Sequence, residues 1–329
     1  MTINSSAWLA VIIGCSFAIT VAGLPTNIRV RLRAIAARWN ERTLAALRAA
    51  SRTVKTRRGE IEYATSPNGS PVLISHGTLG GFDQGMVAAE LLLTPQFRPI
   101  AVSRPGYLRT PLAVGATPEE QADAFAALLD SLAIDRVPII GISGGGPPAL
   151  QFALRHPQRC TAIVLICAVT QRLMLPRRAM FAAQFPRVAT SNTANWFVSL
   201  LYRRFPAPIV QQAFTRYERS SAASDADRHD ALRLMGTSVP VKPRFEGVMN
   251  DAKYLSTLDP YPLERITQPT LIIHGDSDEV VPFAQAEFAA SKVPGARLIA
   301  QEHGSHFSAF VRAADTRAAI IDFLNRQKG

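Results

Sequence analysis

From residue 60 onward, short apolar runs alternate with longer stretches in which Ala, Leu and Phe recur every three to four positions. Runs of strand length occupy 60–64, 71–75, 100–103, 137–141, 162–167, 270–273 and about 296–300. Periodic stretches at 118–133, up to about 156, near 283–291 and from about 308 to 326 predict helices. Ser66-Pro67-Asn68-Gly69 is turn chemistry ahead of the run at 71–75. Strands alternating with helices predict an α/β fold, a mostly parallel sheet covered on both faces. The alternation stops between about 171 and 249. That stretch is helical in character, rich in arginine and aromatic, with Phe181, Phe185, Trp196, Phe197, Tyr202, Phe205, Phe214 and Tyr217. Because the strand pattern resumes after it, it is predicted to be a helical cap inserted into the sheet topology.

The first 28 residues follow another pattern. No charged side chain occurs before Arg29, and residues 7–24 form an apolar run of 18 residues, just long enough to cross a bilayer at about 1.5 Å per residue. A cleaved secretory signal would carry a positive start and a shorter apolar core; here the flanks are reversed. The expectation is an uncleaved membrane anchor over 1–28, with a secreted or periplasmic protein after cleavage as the alternative. Arg29, Arg31, Arg33, Arg38 and Arg42 follow the run at once, which by the positive-inside rule places the remainder of the chain on the cytoplasmic side. From the edge of the anchor into the basic segment 29–53, Ile28, Leu32, Ile35 and Trp39 recur at helical spacing between arginines. This fits a helix in the headgroup region or one packed on the domain.

Composition narrows the class. At 329 residues with 47% apolar content, the chain can bury one large core, expected over 54–329. Its net charge of +11 is uneven: residues 29–58 carry +9, 59–169 carry −3, 170–250 carry +7 and 251–329 carry −2. The positive charge thus sits in the basic segment and in the inserted middle stretch, with no aromatic-interleaved basic face, and nucleic acid is not the expected partner. Cys15, Cys160 and Cys167 have neither an even count nor paired spacing, so no disulfide framework and no structural metal are expected.

Gly141-Ile142-Ser143-Gly144-Gly145 matches G-x-S-x-G. Three fixed small residues recur by chance in about one chain in ten of this length, so the context carries the weight. The motif directly follows an apolar strand and precedes a helix with Pro147 and Pro148 in its first turn, which is the strand-turn-helix setting of a nucleophile elbow. Glycines at 141, 144 and 145 leave room for the sharp turn. A phosphate-cradling loop would need a Lys-Ser/Thr pair after the glycines, and none follows. A serine hydroxyl needs a base, and the base an orienting carboxylate. The run at 270–273 leads into His274-Gly275-Asp276-Ser277-Asp278, and the last strand leads into His303-Gly304-Ser305-His306. Asp276 or Asp278 and His303 or His306 are therefore the candidates. Asp278 has more loop in which to turn toward the histidine segment, and His306 has a flexible Gly-Ser approach.

Taken with His76-Gly77-Thr78-Leu79-Gly80-Gly81 and Ser103-Arg104-Pro105-Gly106-Tyr107, these segments resemble the α/β-hydrolase superfamily over roughly residues 54–327. The resemblance implies Ser143, Asp278 and His306 as a catalytic triad, with backbone N–H groups of Thr78 and Gly144 forming the oxyanion hole and Gly141 and Gly145 completing the elbow. His76, His274 and His156 are then structural or exposed, and Asp276 braces its turn. Two positions depart from the family pattern, Ser103 where Asp is usual and Leu108 where Gly is usual. The implied chemistry is acyl transfer through Ser143 without a cofactor, on a small apolar ester or acyl substrate. Lactone, aminoacyl, C–C-bond and perhydrolase chemistry share the same triad, and a non-catalytic ligand-binding protein is the alternative from another class.

Overall fold

The computed structural model describes residues 23–174, 186–204 and 224–327. Its centre is an eight-stranded sheet in the order β1-β2-β4-β3-β5-β6-β7-β8. The strands are β1 (Arg52–Thr56), β2 (Gly59–Thr65), β3 (Ser70–Ser75), β4 (Phe97–Val102), β5 (Val137–Ile142), β6 (Cys160–Ile166), β7 (Thr270–Gly275) and β8 (Arg297–Gln301). β1 and β2 are antiparallel additions at one edge; β3 to β8 run parallel, so their carboxyl ends share one rim. The helices are α1 (Thr26–Ala49), α2 (Phe82–Leu92), α3 (Pro118–Ser131), α4 (Gly146–Arg155), α5 (Asn192–Arg204), α6 (Asp225–Gly236), α7 (Phe245–Thr257), α8 (Ala284–Lys292) and α9 (Ala313–Asn325), besides single-turn segments.

Successive residues of a strand face opposite sides of the sheet, and here both sides are apolar. Ile74, Ile140, Val164 and Leu271 pack on one face with α2 and α9. Leu73, Ile139, Ile163 and Ile272 pack on the other with α3, α4 and α8. Such two-sided burial is why the central strands read as continuous apolar runs. A reciprocal Thr117–Glu120 capping box and Pro118 in the first turn fix the start of α3.

Four features differ from the sequence reading. The sheet begins at Arg52, inside the segment expected to be basic and juxtamembrane. Arg-Thr-Val-Lys-Thr is a polar edge strand whose alternation is hidden by charged residues. The basic segment before it is one 24-residue helix, α1, which packs against α5 and buries Ala36 while Ile28 and Ile35 stay exposed. Its apolar stripe is therefore split between the protein and the surface. The helical insertion does not end at 249, because α7 runs on to Thr257. The final helix is interrupted at Arg312, where the backbone leaves the helical region between a one-turn helix and α9. Among the described residues, no helix is long and apolar enough to cross a membrane. The expected anchor falls almost wholly on residues outside those described.

Candidate active site

Ser143 follows β5 with φ +49°, in the left-handed region that non-glycine residues avoid. Its neighbours show what holds it there. A β-carbon on Gly141 would lie 2.8 Å from Cβ of Ala149, and one on Gly145 would lie 2.3 Å from the carbonyl oxygen of Ser75. The first turn of α4 thus presses directly on the ends of β3 and β5, which only glycine allows. Strain of this kind, over-determined by its surroundings, presents the hydroxyl at the rim.

Asp278, from the loop after β7, and His306, from the loop after β8, meet Ser143 there. His306 Nδ1 donates to Asp278 Oδ2 at 2.7 Å, and its Nε2 lies 3.1 Å from Ser143 Oγ, placed to accept the hydroxyl proton. The carboxylate can only accept from Nδ1–H, which leaves Nε2 as the acceptor that a general base requires. Asp278 Oδ1 accepts the backbone N–H groups of Val280 and Val281. Burial would push the Asp278 carboxyl up, but the His306 imidazole and the bonds from His274 and His306 outweigh it and hold it well below the usual carboxylate range. The competing residues lie elsewhere: Asp276 is exposed and accepts from Ser277 Oγ, and His303 is exposed beside Glu302.

Three further histidines, His76, His274 and His156, are held by the fold. His76 Nε2 accepts the backbone N–H of Arg104 and its Nδ1 faces Gly77 O at 2.7 Å, so it ties the loop after β3 to the loop after β4. Burial first, then the Arg104 charge, lowers its pKa well below the usual value. His274 Nε2 lies 2.8 Å from Val281 O and 3.3 Å from Asp278 Oδ2; since a carbonyl only accepts, Nε2 carries a proton and steadies the loop of the acid. His156 lies away from the rim, 2.9 Å from Asp123.

Thr78 and Gly144 approach each other across β3 and β5, where the strand order reverses and α/β sheets bind ligands. A β-carbon on Gly144 would lie 3.3 Å from the Thr78 nitrogen and 2.3 Å from Thr78 Oγ1. Both backbone segments therefore border the space beside Ser143 Oγ.

Next to them lies a polar cluster that sequence reasoning missed. Asp251 on α7 forms a fully buried ion pair with Arg104, at 2.6 Å. Tyr107 OH donates to the same carboxylate at 2.6 Å, and Thr78 Oγ1 at 2.8 Å. Burial opposes the charge on Arg104, but Asp251, Tyr254 and Tyr107 around it raise its pKa well above the usual value. A signal existed: Gly247, Val248, Asp251, Tyr254 and Leu255 share the buried stripe of α7, and a carboxylate on such a stripe demands a partner. The two departures from the family pattern also find structural answers. Ser103 donates to Glu62 on β2, so a carboxylate still stands at that point, supplied by the neighbouring strand. Leu108 adopts φ +52°, the conformation that makes glycine usual there.

A pocket opens over Ser143 and His306, walled by Leu173, Leu234, Met235, Val248, Leu255 and Phe310. Its described walls are mainly aliphatic; of the three described cap aromatics named from sequence, only Tyr202 reaches it, and Phe181, Phe185, Phe205, Phe214 and Tyr217 lie outside the described residues. Among the described residues, Cys167, His274 and Asp278 could bring donor atoms within 4.8 Å of one another around a cation. Asp278 is already committed on both oxygens to protein partners, so a metal there would compete with His306.

The sheet topology, with a hydrogen-bonded Ser143–His306–Asp278 chain at its carboxyl rim, defines the class of fold. The sequence model of the alpha/beta hydrolase fold family matches residues 70–313, and the chain belongs to that family. It is 26% identical over 277 residues to Uncharacterized hydrolase YcgS of Bacillus subtilis, covering 81% of this chain and 95% of that one. It is 30% identical over 232 residues to the pimeloyl-[acyl-carrier protein] methyl ester esterase of Aromatoleum aromaticum, covering 67% and 84%. Among solved structures, an alpha/beta hydrolase fold protein from Nakamurella multipartita superposes with a TM-score of 0.75 at 30% identity, covering 85% of this chain and all of the other.

Proposed function

We propose that the protein is a serine hydrolase that cleaves a carboxylester or related acyl bond through an acyl-enzyme on Ser143. The observation that carries this reading is the hydrogen-bonded chain from Ser143 Oγ through His306 to Asp278 beneath an apolar pocket. Ser143 Oγ attacks the acyl carbon as its proton passes to His306 Nε2, and the carbonyl oxygen becomes an oxyanion held by the N–H groups of Thr78 and Gly144. The bond to the alcohol breaks, and the alcohol leaves with the proton from His306. Water then attacks the acyl-enzyme with His306 again as base, releasing the acid and restoring the serine. Asp278 fixes the imidazole and stabilises its protonated form.

The ester bond is the favoured target because the related Aromatoleum protein is a methyl ester esterase, and because the described pocket walls favour an apolar acyl group. A fluorophosphonate probe tests the reading: covalent adduct on the peptide containing Ser143, lost in Ser143→Ala, is expected. A folded protein that takes up no probe at Ser143 is instead a non-catalytic binder.

In the same proposal, residues 7–24 anchor the protein in a membrane and the hydrolase domain faces the cytoplasm. The support is the apolar run without charge and the five arginines that follow it from Arg29 to Arg42.

A further inference from the structure

Two residues of α7, Asp251 and Tyr254, stand three positions apart and therefore share one face of the helix. Each reaches a different half of the space beside Ser143. Asp251 Oδ2 accepts from Thr78 Oγ1 at 2.8 Å, on the loop after β3. Tyr254 OH donates to the carbonyl oxygen of Gly144 at 3.2 Å, on the elbow after β5. Arg104 binds the two arms together: its Nη1 and Nη2 donate to Asp251 at 2.9 and 2.6 Å, and Nη1 also reaches Tyr254 OH at 3.2 Å. The same guanidinium donates from Nε to His76 O at 2.9 Å, one residue before Gly77. Asp251, Arg104 and Tyr107 lie wholly out of solvent, so water does not compete for the bonds among them.

We infer that Asp251 and Tyr254 are positioning residues for the oxyanion hole: α7 clamps the Thr78 loop and the Gly144 turn at the separation the transition state needs. The inference rests on the acyl-enzyme reading of Ser143. Its content is that the inserted helical region does more than roof the pocket. Because α7 belongs to the stretch between β6 and β7, displacing it would loosen the hole as well as uncover the substrate. Neither side chain touches the reacting atoms; both act through backbone N–H donors whose worth depends on being fixed before charge develops. Thr78 Oγ1 spends its proton on Asp251, so its hydroxyl serves the clamp and its backbone N–H serves the oxyanion.

Thr78→Val and Tyr254→Phe each remove one link and keep the side-chain shape, whereas Asp251→Asn also leaves the Arg104 charge buried without its partner. The first two are therefore the deciding variants, each accepted only if it melts cooperatively within a few degrees of wild type. On p-nitrophenyl butyrate, each is expected to lower kcat about tenfold with KM within about twofold, since an interaction made only in the transition state lowers kcat and kcat/KM together. Binding of a trifluoromethyl ketone, whose adduct on Ser143 carries an oxyanion, should weaken by the same factor as kcat/KM. The matching methyl ketone should bind with unchanged affinity. Unchanged kcat in both folded variants, or a rise in KM alone, overturns the inference and makes α7 only a pocket wall. Ser143→Ala is measured beside them. If that variant retains full turnover, the serine reading itself fails; if it is inactive while the other two match wild type, only the clamp fails.

Discussion

His306 Nε2 lies 3.1 Å from the Ser143 hydroxyl although 163 residues separate the two in sequence. The parallel strands β5, β6, β7 and β8 close that distance by delivering the loops after β5, β7 and β8 to one rim. Residues joined this way act as a unit. Ser143→Ala, His306→Ala and Asp278→Asn should each lower kcat by about 10³-fold or more, and double variants should be little worse than single ones. Asp276→Asn and His303→Ala, which alter exposed side chains, should stay within about tenfold of wild type. Steady-state kinetics on the five purified proteins checks the assignment, and a folded, inactive His303→Ala beside an active His306→Ala would reverse it.

Asp278 also gives a signature in acid. Its carboxyl is held well below the usual range in the folded protein, whereas in the unfolded chain it titrates near the usual value of about 3.9. Its contribution to stability is therefore complete above about pH 4 and is lost as pH falls from there toward the folded value. Thermal melts from pH 7 to pH 3 should show Asp278→Asn less stable than wild type at neutral pH, with the gap narrowing below about pH 4. A gap that stays constant across that range would remove the ionised carboxylate from the account.

Substrate preference follows from the pocket walls. Leu234, Met235, Val248 and Leu255 offer aliphatic surface to an acyl chain. Each methylene buried in the transition state contributes up to about 0.8 kcal/mol, or about fourfold in kcat/KM. Along a series of p-nitrophenyl esters, kcat/KM should rise from acetyl to medium chains before it levels off. A steady fall from acetyl to octanoyl would contradict an apolar acyl pocket.

Much of this was legible in the chain because central strands buried on both faces leave unmistakable apolar runs, and because the elbow needs Gly141 and Gly145 for steric reasons. The Ser, Asp, His order and the turn at Ser143 could be read the same way. β1 was not legible, since an edge strand of Arg, Thr, Val and Lys needs only one half-buried face. Nor was the Arg104–Asp251 pair: partners so distant in sequence leave no periodicity, only an acid out of place on the apolar stripe of α7. The stripe of α1 misled in another way. Helical spacing announces an apolar face but not what it meets, and α1 turns part of it to α5 and leaves Ile28, Val30 and Ile35 at the surface.

Location is testable separately from chemistry. The full chain should sediment with membranes and resist extraction by high salt. A chain beginning at Thr26 keeps α1 and its packing on α5, so it should remain in the supernatant with unchanged kcat. Recovery of the mature protein free of membranes, with residues 1 to about 25 removed, would refute the anchor.

The most direct test of the central claim is to catch the acyl group on Ser143. Rapid mixing with p-nitrophenyl butyrate, acid quench and peptide mass analysis should place a butyryl group on the peptide containing Ser143, with none on the same peptide of Ser143→Ala, whose turnover should fall by about 10³-fold or more. A butyryl group on another residue, or a Ser143→Ala protein that turns over within about tenfold of wild type, would contradict it.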